Sequence, residues 1–222
     1  MNFVMFIINL DALEILTTLL NEKGLPLSVI MIARGTAVQS MLDLLGIQSS
    51  DRRLVMTIAD PETTRALIKE AKRKLYIGVP GHGMIAAVPI KSIGGGKTMT
   101  YLNHGEPAKY TPEFNPDYEL IVAIANEGKN NMVMNAARSA GAAGGTVLHG
   151  KGTGSPEMEK FFKVEIGREK EVILIVARSE QKAAIMKAVL KDAGPSSEAG
   201  AIVFSLPVSE VAGFGMFTES ED

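Results

Sequence analysis

The chain has 222 residues, no cysteine, 46% hydrophobic residues and a formal net charge of −2. These values exclude disulfides and thiolate metal sites and argue against a partner held through nucleic-acid phosphates. They leave room for one large buried core or two small ones. The opening MNFVMFIINLD has no basic flank and too short an apolar run for a signal peptide or a membrane span. The expectation is a cytoplasmic protein with no membrane insertion. His82, His104 and His149 do not stand at metal-ligand spacing, so no metal site is expected.

In chain order, the apolar run Phe3 to Ile8 predicts a buried strand. Asp11 and Glu14 form a D-x-x-E helix start, Leu13, Ile15, Leu16, Leu19 and Leu20 follow at helical spacing, and Gly24 with Pro26 ends the helix. Ser28 to Ala33 and Leu54 to Ala59 read as strands. Asp60-Pro61-Glu62 places an N-cap acceptor, a proline at the first helical position and a carboxylate in the first turn. That helix runs to about Leu75. Gly78 to Gly83 reads as a loop and Met84 to Ile90 as a strand. The rest repeats the order. Strands are expected at Tyr118 to Ala125, Thr146 to His149, Val172 to Ala177 and Ala201 to Leu206, with helices at Lys129 to Ser139 and Ser179 to Leu190.

The repetition extends to single residues. At a constant offset of 117, Asn126 falls on Asn9, Gly141 on Gly24, Gly152 on Gly35, Thr153 on Thr36, Val172 on Val55 and Gly200 on Gly83. The expected fold class is therefore α+β. Each of two tandem ferredoxin-like β-α-β-β-α-β units has an antiparallel sheet with its helices on one face. The expected spans are 1–95 for the first unit, 96–117 for a polar, Gly- and Pro-bearing linker, 118–214 for the second unit and 215–222 for an acidic tail. The helix-free face of such a sheet needs a cover, usually another copy.

Two segments carry candidate chemistry. The second strand of each copy ends in a basic, glycine-bearing segment, Arg34-Gly35-Thr36 and Gly150-Lys151-Gly152-Thr153-Gly154. Glycine lets backbone N–H groups approach an anion, a hydroxyl adds a donor and a basic residue adds charge, which together suit a phosphate cradle. The spacing is not that of a P-loop, and the plain alternative is a turn that needs glycine dihedrals. Before each last strand stand Gly81-His82-Gly83 and Ala199-Gly200; taken alone these read as tight turns. The connectors after the cradles place Val38, Met41, Leu42 and Leu45, and then Met158, Phe161 and Phe162, as the apolar faces of short helices. No nucleophile–base pair or convergent carboxylate pair points to an enzyme.

Val133 to Gly141 (VMNAARSAG), Gly150 to Thr153, Glu171 to Ala177 and Pro207-Val208-Ser209-Glu210-Val211 resemble the PII nitrogen-regulatory proteins. The resemblance covers nearly all of 118–214 and reaches the first half through the repeat. It implies a cytoplasmic regulatory sensor, ferredoxin-like and trimeric, that binds an adenine nucleotide between subunits and signals to a protein target. Carried over, it makes Gly150, Lys151, Gly152 and Thr153 face phosphates, puts Gly200 in the facing B-loop and gives Gly154 to Lys170 the T-loop position. Ala201 and Met84 stand where that family's B-loop carries lysine. The resulting expectation is a regulator that senses a small anionic, nucleotide-like ligand and modulates a protein partner in nitrogen metabolism. No further cofactor is expected, and a homo-oligomer, preferably a trimer, is. The alternative is a ligand-free oligomeric interaction module on the same fold.

Overall fold

The computed structural model describes residues 1–25, 28–36, 51–90, 114–151 and 169–213. Both apolar connectors, most of the expected linker, the expected acidic tail and the cradle residues Gly152, Thr153 and Gly154 lie outside the described residues.

The strands are β1 (Asn2–Ile8), β2 (Ser28–Gly35), β3 (Asp51–Ala59), β4 (Gly83–Pro89), β5 (Tyr118–Asn126), β6 (Thr146–Lys151), β7 (Glu169–Arg178), β8 (Ile202–Pro207) and β9 (Glu210–Ala212). The helices are α1 (Leu13–Glu22), α2 (Pro61–Lys74), α3 (Asn130–Ser139) and α4 (Ser179–Ala193). The chain divides into two compact units. One holds Met1–Ile32, Asp51–Asn115 and Pro207–Asp222; the other holds Ala33–Ser50 and Pro116–Leu206.

In the first unit the strand order is β2-β3-β1-β4-β9. β1 runs antiparallel to β3, with Ile8 opposite Arg53, and antiparallel to β4, with Ile8 opposite Gly83. In the second unit the order is β8-β5-β7-β6, and β5 and β6 both run antiparallel to β7. In each unit the first strand lies between the third and the fourth, the ferredoxin-like arrangement.

Alternation sorts each sheet into two faces. Val4, Phe6, Ile8, Val55 and Ile85 pack with Leu16, Leu19 and Leu20 of α1 and Leu67, Ile68 and Ala71 of α2. Ile121, Ala123, Val147, Ile173 and Ile175 pack with Val133, Met134 and Ala137 of α3 and Ile185 and Val189 of α4. Truncating one such Leu or Ile to Ala costs about 2–5 kcal/mol. The intervening residues Met5, Ile7, Leu120, Val122, Leu174 and Val176 are buried as well.

The duplication reappears in the hydrogen bonds. Gly24 donates to Asn21 and Leu25 to Leu20, ending α1; Gly141 donates to Arg138 and Ala142 to Ala137, ending α3. Both glycines have positive φ, as this C-cap requires. At α2, Asp60 Oδ1 accepts the Thr63 N–H at 2.9 Å, the cap that the sequence predicts.

Three local expectations need correction. Asp11 does not cap α1: residues Leu10–Ala12 form a 3-10 turn, and the N-cap is Ala12, without a side-chain bond. Arg34-Gly35 and Gly150-Lys151 extend β2 and β6 past the expected ends at Ala33 and His149, because pairing with neighbouring strands overrides the low strand propensity of glycine. Glu210–Ala212, expected only as a C-terminal segment, adds a strand on β4, with Val211 opposite Ala86.

Candidate functional site

In the second unit, strand register brings the two glycine segments to one end of the sheet. Asn126 at the end of β5 is opposite Lys170, and Lys170 is opposite Gly150 on β6. These three residues form a row across β5, β7 and β6. Lys170 is 9% exposed, and its Nζ donates to Asn126 Oδ1 at 2.6 Å. Asn126 Nδ2 donates to Glu198 O at 3.0 Å, and its backbone N–H to Ala199 O at 2.9 Å. Gly200 follows directly. Its φ is +54°, and a Cβ there would stand 3.3 Å from Asn126 Nδ2. Gly150 is open: a Cβ would meet nothing within 4 Å.

The neighbouring rows supply charge. Lys151, exposed, is opposite Glu169; His149 is opposite Glu171. Glu171 is 2% exposed, and its carboxylate accepts the Asn130 backbone N–H and the Asn130 Nδ2, both at 2.8 Å. A built-in anion thus sits at the start of α3, where the helix dipole favours negative charge. Lys129 Nζ donates to the exposed Glu198 carboxylate at 2.6 Å and holds that carboxyl below its usual range.

The first-copy candidates are arranged differently. Arg34 is opposite Val147 and Gly35 opposite Thr146, about 10 Å along β6 from Gly150 at the rise of a strand. Thr36 is bracketed: its N–H donates to Gly145 O at 3.0 Å, its hydroxyl accepts the Gly145 N–H at 2.8 Å, and its carbonyl accepts from Arg138. Desolvation lowers the pKa of that arginine.

Gly81 and Gly83 have φ of +87° and +127°, and a Cβ on Gly83 would fall 2.2 Å from Ile7 O. Gly81 O accepts from Asn9 Nδ2 at 3.1 Å and Arg52 Nη2 at 3.4 Å. Burial lowers the Arg52 pKa, partly offset by Asp11 and Asp51.

The structure therefore gathers Gly150, Lys151 and Gly200 at one sheet end, places Gly81 in a turn and Gly83 at the start of β4 in the first unit, and engages Thr36 in the anchoring of its own segment. Sequence reasoning missed Asn126, Lys170, Glu171 and Asn130. Only Asn126 carried a signal, its match to Asn9 in the repeat. Among the described residues no group of three or more His, Asp or Glu is placed to hold a metal, and no helix is long and apolar enough to cross a membrane.

Residues 118–214 match the family model for nitrogen regulatory protein P-II. No curated protein gives a significant match. Among solved structures, a PII from Arabidopsis thaliana bound to citrate is 20% identical over 43% of this chain and 78% of its own, with a TM-score of 0.33. The B. subtilis GlnK-ATP complex is 14% identical over 44% of this chain and 94% of its own, also at 0.33. An unknown protein from Galdieria sulphuraria is 11% identical over 93% of this chain and 98% of its own, at 0.29. The likeness to that family rests on the match over 118–214, since scores this low add no weight.

Proposed function

We propose that this chain, whose residues 118–214 belong to the P-II family, is a regulatory protein that senses a small anionic, nucleotide-like ligand at the Gly150–Lys151 end of its second sheet. The observation that carries this reading is the row Asn126–Lys170–Gly150, which joins the cradle to the Gly200 turn and sets a largely buried lysine between them. Lys151 supplies the exposed charge, and Gly150 leaves the backbone open to an approaching anion. Gly152 and Thr153 complete the cradle by sequence.

In this reading ligand binding is read by a protein target, with nitrogen metabolism the setting the family suggests, and the working form is a cytoplasmic homo-oligomer, preferably a trimer. Binding acts by population shift, so the ligand favours one state of the chain by as much as its affinities for the two states differ. The activity proposed is binding and signalling, not catalysis.

Calorimetric titration of ATP and ADP into wild type and Lys151→Ala tests the assignment. Loss of one charge-assisted contact lowers affinity by about 1.5–3 kcal/mol. Equal affinity in both proteins removes Lys151 from the site.

A second reading is favoured by β8, at one end of the strand order, where Ile202 and Phe204 are 50% and 40% exposed. Exposed apolar side chains of this kind suit a ligand-free interaction module. Stability that responds to no anion would favour it.

A further inference from the structure

One row of the second sheet differs in kind from its counterpart in the first copy. His149, Glu171 and Asn130 stand where the offset of 117 places Ile32, Leu54 and Leu13. A polar trio thus replaces an apolar one beside the proposed site. Burying a carboxylate is costly unless it is hydrogen-bonded or paired. Glu171 meets that condition through Asn130, whose N–H and Nδ2 both reach it at 2.8 Å. His149 lies opposite on β6, with Nδ1 3.9 Å from Glu171 Oε1 and its side chain 58% exposed. One edge of the imidazole thus faces the carboxylate, and much of the ring remains open to solvent. Lys151, two residues on, shares its side of the strand.

We propose that His149 is a ligand-contacting residue of the anion site, and that its protonation beside Glu171 makes anion binding proton-coupled. This rests on the site assignment given above. The imidazolium adds a second positive charge next to Lys151, where the neutral ring offers only one N–H. The charged groups around it are Lys151 on β6, Arg34 of β2 opposite Val147, Glu169 and Glu171 on β7, and Lys129 at the start of α3 with Glu198 as its partner. Lys170 belongs to the other face of the sheet by alternation. Glu171 and Glu169 attract a positively charged ring, and Lys151 and Arg34 repel it. An anion bound at Lys151 cancels that opposition, so the bound state favours the proton. Affinity therefore rises as the ring takes up its proton, and is higher in acid than in base.

The test is a titration of inorganic pyrophosphate into wild type and His149→Gln between about pH 8 and about pH 5.5. The ratio of the two dissociation constants cancels the probe's own titration. It should stay within about twofold at the high end and reach about tenfold at the low end, as one charge-assisted hydrogen bond predicts. Glu171 is a positioning residue: Glu171→Gln should reduce the wild type's gain in affinity at low pH while binding persists. His149→Asn repeats the comparison if the first variant loses its fold. A ratio that stays flat with pH overturns the inference and leaves the site standing. Failure of the wild type to bind pyrophosphate at any pH removes the site and the inference together.

Discussion

Asn9 and Asn126, separated by 117 positions, make the same hydrogen bond: each donates Nδ2 to the carbonyl of the residue 72 positions later, Gly81 and Glu198. Each also accepts at its own carbonyl, from Ala12 at 3.3 Å and from Lys129 at 3.2 Å. The two copies diverge at Oδ1. Asn126 Oδ1 receives Lys170, whereas Asn9 Oδ1 is buried with no hydrogen bond among the described residues. One asparagine closes a turn; the other also links that turn to a lysine at the candidate site.

Asn126→Ala should therefore destabilise the chain more than Asn9→Ala. Removing one hydrogen bond and leaving its partner buried costs about 1–3 kcal/mol, and Asn126 loses two side-chain bonds against one for Asn9. Chemical denaturation of both variants checks the order. Equal losses would mean that the Lys170 contact contributes no stability.

Glycine substitutions separate turn from site. At Gly83, φ of +127° and a Cβ only 2.2 Å from Ile7 O force the backbone to move, so Gly83→Ala should cost several kcal/mol, about 3 or more. At Gly150 a Cβ meets nothing within 4 Å, so Gly150→Ala should leave the melting temperature within about 2 °C of wild type. A loss of ligand affinity without loss of stability in Gly150→Ala would mark close backbone approach by the ligand.

Asp60 gives a pH prediction. Partial burial raises its pKa, but hydrogen bonds from Thr63 and the amides of Glu62 and Asp60 together outweigh that effect and hold the carboxyl below its ordinary value. A depressed folded-state pKa contributes stability above the unfolded value of about 3.9, and that stability is lost as pH falls through the folded value. Asp60→Ala should cost about 1 kcal/mol at neutral pH. The gap between variant and wild type should narrow in acid below about pH 4. A gap independent of pH would assign the effect to something other than the charged cap.

The order of elements was legible because each helix and strand carries its own period and its own stop. Asp60, Gly24 and the matched pair Gly83 and Gly200 announce local geometry that depends on few distant contacts. The site was legible only in part. Gly150 and Lys151 fell just past the expected strand end at His149, since glycine and a basic residue look like surface punctuation; they are strand because β7 pairs with them. No local pattern marks Lys170 and Glu171 as site residues. Their burial depends on Asn126 and Asn130, partners more than forty positions away that no local pattern connects to them. Arg34 and Thr36 looked equivalent to Lys151 and Thr153. The engagement of Thr36 with Gly145 and Arg138 is a tertiary fact with no signature in the repeat.

The most direct test of the central claim is thermal unfolding of wild type and Lys151→Ala with ATP, ADP, AMP, cyclic dinucleotides, 2-oxoglutarate or bicarbonate added in turn. A ligand at a hundred times its dissociation constant adds about 2.7 kcal/mol, or a rise of about 5–10 °C for a chain of this size. The account predicts such a rise with at least one nucleotide, and a clearly smaller one in Lys151→Ala. A rise that Lys151→Ala leaves intact, or no rise with any of these anions, would contradict it.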